Sequence, residues 1–303
     1  MAARDPYIDA ATLKSLSKLN TPITAFWMLF DWIIIALAIA ISTWASNPFV
    51  YVLAVLVIAG RMHGFAVIVH EFAHYRFMKN KTTSDWIGDI VLAWPIFGTI
   101  DTYRQNHLAH HRHTNTEDDP DWTIKLHTEE FTFPQTRVKA FLNFLGYLTL
   151  KSTFRDFRSA YARIGGASKY STTYKLLRLA FYLAAAGLIT WFGVWLEFLL
   201  YWFVPYLTVF FFLLYIRSVA EHFGSMDYEE ELGSTRHVDP YFWERWFFCP
   251  HNVNYHLDHH LFPSVPFYNL PSLHKKLLEN AEYRKKAHIT RGYSTGLVNE
   301  CLA

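Results

Sequence analysis

Cysteine is nearly absent: the 303 residues contain two, Cys249 and Cys301, in no C-x-x-C spacing. That excludes a disulfide scaffold, a thiolate zinc site and a cysteine-held iron–sulfur cluster, so any metal here is held by nitrogen and oxygen. Charge of one sign is lacking as well. The 28 Lys and Arg against 26 Asp and Glu leave a formal +2, and no basic run interleaved with aromatics marks a groove for nucleic acid. No nucleic-acid partner is expected. No Gly/Ser-rich linker, low-complexity tract or long repeat divides the chain, so residues 1–303 read as one domain. The N-terminal MAARDPYIDAATLKSLSKLN carries polar residues where a signal peptide needs an apolar core. Targeting therefore falls to the first membrane span.

Apolar and aromatic residues are what is abundant, 52% and 18% of the chain, too much for an ordinary soluble domain. Four stretches, residues 23–45, 49–69, 176–192 and 196–216, approach or exceed the roughly 20 residues that a helix needs to cross a bilayer. They pair into two hairpins, the first closed by Ser46, Asn47 and Pro48. Both connecting turns lack Lys and Arg, whereas Lys14, Lys18, Arg76, Lys79, Lys81 and the stretch 151–178 are basic. The positive-inside rule then places both termini in the cytoplasm, with cytosolic segments at 70–175 and 217–303. Two further apolar segments, 87–100 and 138–150, are too short to span and read as buried or interfacial helices. The predicted fold is an all-α membrane protein: four transmembrane helices in two hairpins, with a helical cytosolic cap.

That cap carries the chemistry. HEFAH at the cytoplasmic end of the second span matches the zinc-peptidase pattern H-E-x-x-H and places His70 and His74 one turn apart. HLAHH supplies His107, His110 and His111; HLDHH supplies His256, His259 and His260; the spacings of three and four predict one helical face for each trio. His222, in AEHFG just past the fourth span, makes nine. Nine imidazoles exceed what one tetrahedral zinc uses, which implies two metals. Zinc is redox-inert, whereas two imidazole-bound irons can activate dioxygen and take hydrogen from an unactivated methylene, a bond too weakly acidic for a side-chain base. A membrane zinc metalloprotease using HEFAH is the remote alternative. A metal transporter would place ionisable ligands along a path within the spans, not at one end.

HEFAH, HLAHH and HLDHH, in that order around two membrane hairpins, resemble the three histidine boxes of the integral-membrane fatty acid desaturases and hydroxylases. AEHFG is similar to that family's additional ligand, and NVNYHLDHHLFPSVPFYNLPSLH to its C-terminal signature. Ser218 stands where the stearoyl-CoA branch often has an Asn, and the first box is the shorter HxxxH, so the chain is closer to the acyl-lipid and bacterial branches. The resemblance implies an oxidoreductase with a non-heme di-iron centre, dioxygen as co-substrate and a lipid chain drawn from the membrane. Desaturation is the expected outcome, with hydroxylation on the same centre as the alternative. No fused cytochrome extension is read in the chain, so electrons would come from a separate donor, a ferredoxin or a small cytochrome with its reductase, on the basic cytosolic face. A bacterial inner membrane is expected in preference to the endoplasmic reticulum.

Around the nine, Glu71, Asp258, Asp118, Asp119 and Asp121 are candidates to accept the free ring N–H of ligand histidines, with a helix cap or surface charge as the alternative for each; for Asp118 and Asp119, loop capping before Pro120 is the simpler account. His63 lies seven residues before His70, on nearly the same face, and either lines a substrate channel or caps a cavity. His113, His127, His237, His251, His274 and His288 are read as ordinary solvated or hydrogen-bonded residues. YFWERWFF, residues 241–248, fits either a substrate groove or an interfacial aromatic belt. Asp31 and Arg61 lie eight residues from Ile23 and nine from His70, about 12 and 13.5 Å deep at 1.5 Å per residue. Being level on adjacent antiparallel spans, they are predicted to form a structural ion pair, with Arg61 pointing away from the metal.

Overall fold

The computed structural model describes residues 7–126, 128–164 and 170–303; His127 lies outside the described residues. The chain is mostly helical, and four helices are long and apolar enough to cross a membrane: Thr21–Ala45, Pro48–Ala73, Thr172–Phe192 and Trp195–His222. A short parallel pair, β1 (His237–Asp239) with β2 (Ile289–Arg291), adds a two-stranded sheet to the all-helical expectation. The first long helix ends where Ser46 turns left-handed at φ 46°. The second starts at once, with Pro48 in its first turn and the Asn47 side chain accepting from the Phe49 and Val50 amides, a good N-terminal cap.

Much of the exterior of the long helices is apolar. On the first long helix the exposed stripe is Phe26, Leu29, Ile33, Leu37 and Ile41, while the buried face carries Thr24, Asp31 and Ser42 along with Met28 and Ile35. The third long helix has no buried residue and leans on the rest through its first turns, where Tyr174 donates to Asp89 at 2.9 Å and receives Trp94 Nε1 at 3.0 Å. Such surfaces need an apolar solvent. Trp44, Phe49, Trp191 and Phe192 stand exposed at the helix ends remote from the histidine boxes, where amphipathic rings favour a membrane–water boundary.

Of the two shorter apolar segments, one buries Leu92, Ala93, Trp94 and Ile100, and the other forms the helix Arg137–Leu148, with Val138, Phe141 and Leu142 exposed. The fourth long helix contains two π-helical stretches, Leu199–Phe203 and Tyr206–Phe210, on either side of Pro205. Proline has no amide hydrogen to donate, and widening the helix beside it accommodates the break.

Within this frame Asp31 is fully buried, with Arg61 Nη1 3.0 Å from Oδ1 and His251 Nε2 2.7 Å from Oδ2. Arg61 Nη2 also donates to the Trp246 carbonyl at 3.1 Å. Exposure suits His113 but not His251 or His237, both buried, and His288 is bonded to Glu300 at 2.9 Å. Buried imidazoles need partners, and single-residue reading has no way to supply them. Gly64 makes room for the cluster: a Cβ there would lie 2.7 Å from Asp31 Oδ2 and 2.9 Å from His251 Nε2.

Candidate metal centre

Four chain segments deliver the nine histidines. His70 lies in the last turn of the second long helix and His74 caps its end. His107, His110 and His111 belong to the helix Ile100–His113, whose N-cap Thr99 accepts from the Thr102 amide. His256, His259 and His260 lie on the helix His256–Leu261. His222 is the final residue of the fourth long helix, which runs on past the predicted end at 216.

The rings gather in two groups: His70, His74, His107, His111 and His259 in one, and His110, His222, His256 and His260 in the other. In each, one potential ligand atom per residue lies within 4.8 Å of all the rest. Boxes two and three each serve both groups, rather than one face apiece. Adjacent residues on a helix diverge by about 100°, so His110 parts from His111 and His259 from His260.

The donor set fits metal ions better than it fits hydrogen bonds. Nε2 of His107 is 2.9 Å from that of His74 and 3.0 Å from that of His111, which in turn is 3.1 Å from Nε2 of His259. In the second group, Nε2 of His256 and His222 are 2.9 Å apart, and those of His110 and His260 are 3.3 Å apart. A neutral imidazole has one N–H and one lone pair, so His107 and His111 would each serve two partners through a single proton or lone pair. Two nitrogens at about 2.0–2.1 Å from one cation and at right angles lie about 3 Å apart. Burial, the largest cause, holds His74 down at about 3 and His111 at about 2, and keeps His107, His256, His259 and His260 well below the ordinary range. These rings are neutral, as ligation requires.

Carboxylates and arginines fix the rings from behind. Asp119 Oδ2 lies 2.7 Å from His110 Nδ1, so the Nδ1–H tautomer donates to it and Nε2 is left free to bind. The same carboxylate accepts from the Asn115, Asp121 and Trp122 amides, so it caps the loop as well. Glu221, beside His222, is 3.3 Å from His256 Nδ1 and 2.7 Å from Arg217 Nε. Two buried arginines cover helix ends that would otherwise leave carbonyls unpaired. Arg104 donates to the Phe72 and Ala73 carbonyls below box one, and Arg236 to those of Val219, Ala220 and Phe223 around His222.

The other candidates sit differently. Glu71 accepts the Phe267 amide at 3.0 Å and stands 3.5 Å from His70 Nδ1, too far for a hydrogen bond. Asp121 receives Lys125 at 2.5 Å, and Lys125 also donates to Ser218. Asp258 is bonded to His274 and Tyr283, neither of them among the nine. His63 is buried, with no hydrogen-bond partner for either ring nitrogen among the described residues. Asp119 is thus both a ring support and a loop cap, while Glu221, Arg104 and Arg236 are supports that reading the sequence misses. Of these three, only Glu221 is hinted at, by its adjacency to a histidine. Asp119→Asn should weaken metal binding about 10- to 100-fold, read by metal titration of the stripped protein; an unchanged affinity would leave the contact with His110 without a role.

A small pocket against His70, His256 and His259 shares His251 and Phe267 with a larger cleft of about 360 Å³. That cleft is bounded by Trp27, Phe30, Arg61, Arg245 and Trp246. Of the 241–248 aromatics, Trp246 borders the cleft, and it stands exposed together with Phe242 and Trp243 in the manner of a membrane belt.

Residues 42–292 match the fatty acid desaturase family. Among curated proteins, the chain is 28% identical to the dihydrorhizobitoxine desaturase of Bradyrhizobium elkanii, over 90% of this chain and 81% of that one. It is 27% identical to the sn-1 oleoyl-lipid 12-desaturase of Anabaena variabilis, over 80% and 72%. The chloroplastic omega-6 fatty acid desaturase of Spinacia oleracea is 25% identical over 74% of this chain and 52% of its own. With its boxes inside the matched region and its rings gathered as donors, the chain belongs to the fatty acid desaturase family and is an oxidoreductase of that type.

Proposed function

We propose that the protein desaturates a fatty-acyl or related lipid chain with dioxygen at two iron ions, one held by His70, His74, His107, His111 and His259 and the other by His110, His222, His256 and His260. The observation that carries this reading is the convergence of nine ring donors, with no thiolate, into groups of five and four. Two irons so bound would supply the oxidant that takes hydrogen from an unactivated methylene. The chain's own residues hold and exclude. Asp119 fixes the tautomer of His110, Arg104 and Arg236 fix the ends of two ligand-bearing helices, and Phe267 with His251 separates the rings from the open cleft.

The substrate arrives from the membrane side. The cleft beside Trp27, Phe30 and Trp246 offers an apolar, aromatic approach that suits a lipid chain. The relatives' names give two substrate types, an oleoyl lipid and dihydrorhizobitoxine, and this lining favours the first. Removing two hydrogens while reducing dioxygen to two waters takes two further electrons, supplied by a ferredoxin or by a small cytochrome with its reductase on the basic cytosolic face. The four long helices form two hairpins in a bacterial inner membrane, with both termini and the histidine-bearing cap in the cytoplasm.

The test is expression in a bacterial host followed by lipid mass spectrometry. New unsaturated chains, two mass units lighter, should appear with the wild type and not with His107→Ala. A gain of sixteen mass units would mean hydroxylation, and an unchanged lipid profile would sink the acyl reading.

A further inference from the structure

Three side chains outside the nine-histidine centre gather behind box three. Asp258 is two residues from both His256 and His260, about 200° round the helix at 100° per residue, so it faces away from them. Its carboxylate is fully buried, with His274 Nδ1 2.8 Å from Oδ2 and the Tyr283 hydroxyl donating to Oδ1. Neither partner is a fixed cation, although a buried carboxylate calls for one. His237, on β1, completes the group: its ring packs 4.2 Å from that of His274 and 4.6 Å from that of Tyr255. Its Nδ1 is buried with no hydrogen-bond partner among the described residues. The backbone holds it there, through the His237 amide to the His288 carbonyl at 3.0 Å and the Val238 amide to the Asn254 carbonyl at 3.1 Å. One donor atom from each of His237, Asp258 and His274 lies within 4.8 Å of the other two.

We propose that His237, Asp258 and His274 form a third metal site, separate from the nine-histidine centre, for a zinc-class divalent cation. Two imidazole nitrogens and a carboxylate oxygen are a donor set that zinc takes readily. The 2.8 Å between His274 Nδ1 and Asp258 Oδ2 is close to the separation of two ligands about 2.0–2.2 Å from one ion at right angles. The cation neutralises the buried carboxylate, uses the orphaned His237 nitrogen, and ties three distant segments together. These are β1, box three, and the helix Leu270–Leu277 that carries His274. Its role is structural, and it does not depend on what reaction the nine histidines support.

The experiment is a metal count by mass spectrometry on protein made in medium containing both iron and zinc. Wild type should hold one zinc per chain in addition to its iron. His237→Ala, which leaves the contacts of Asp258 with His274 and Tyr283 in place, should lose the zinc and keep the iron, and His274→Gln should do the same. His107→Ala should lose iron and keep the zinc. The proposal is overturned if wild type carries no metal beyond the nine-histidine centre's two ions, if His237→Ala keeps its zinc, or if the zinc disappears with the iron in His107→Ala. The iron count reports separately on the proposed reaction.

Discussion

His222→Ala is expected to abolish turnover and to empty the group formed by His110, His222, His256 and His260 while the group of five keeps its metal. Nothing in the spacing of the three boxes includes His222, yet its Nε2 lies 2.9 Å from that of His256, and its ring centre 4.6 Å from that of His110. Removing it leaves three ring donors, two of them buried and His260 half-buried, with a void where the fourth stood. Changes to residues behind metal ligands already cost 10- to 100-fold, so losing a ligand should cost at least about a hundredfold in activity. Iron content falling from two towards one per chain, measured beside lipid products, is the expected pair of results. His113→Ala, on the same helix as box two but exposed, is the control that should change neither. Full metal and full activity in His222→Ala would remove this residue from the centre.

The second large effect concerns stability. Asp31 and Arg61 should show a double-mutant coupling, because removing one partner of a buried pair costs about 3–5 kcal/mol by stranding the other. The structure adds an asymmetry that depth along the two helices did not reveal. Asp31 also meets His251 at 2.7 Å, so Arg61→Gln leaves the carboxylate one partner. Asp31→Asn weakens the site for both Arg61 and His251. The Asp31 variant should therefore be the less stable of the two, and the double variant should recover part of the summed loss. Thermal unfolding in detergent measures all three. Strictly additive losses, or an Arg61→Gln protein of normal stability with a raised KM for its lipid, would favour a role for Arg61 in gripping a head group at the adjoining cleft.

His251 shows where sequence reading stops. Its position in the chain, 220 residues from Asp31, carries no hint of the contact. Its left-handed backbone, φ 53° and ψ 37°, is uncommon for a residue with a side chain and goes with a position inside a packed wall between pocket and cleft. Asp119 is a milder case: the run before Pro120 offers capping and a ring N–H contact as alternatives, and the carboxylate makes both, one oxygen meeting His110. Asp258 went the other way, since a carboxylate inside box three still points to the far side of its helix.

The sequence by itself determined the chemistry available and the medium. The absence of thiolate pairs, the eight box histidines at spacings of three and four, and four apolar stretches bare of Lys and Arg at their turns are local properties, readable from neighbours a few residues apart. Even the level placement of Asp31 and Arg61 follows from counting residues along two helices joined by a short turn. Only the tertiary structure decided how the histidines divide. Boxes two and three each split between the two groups because neighbouring ring directions diverge along a helix, while the partners that complete each group come from segments up to about 190 residues away in sequence, as His70 and His259 do. The supports behind the rings, Arg104 below box one and Arg236 around His222, were hidden for the same reason. An arginine that caps the end of another helix leaves no periodic trace in its own.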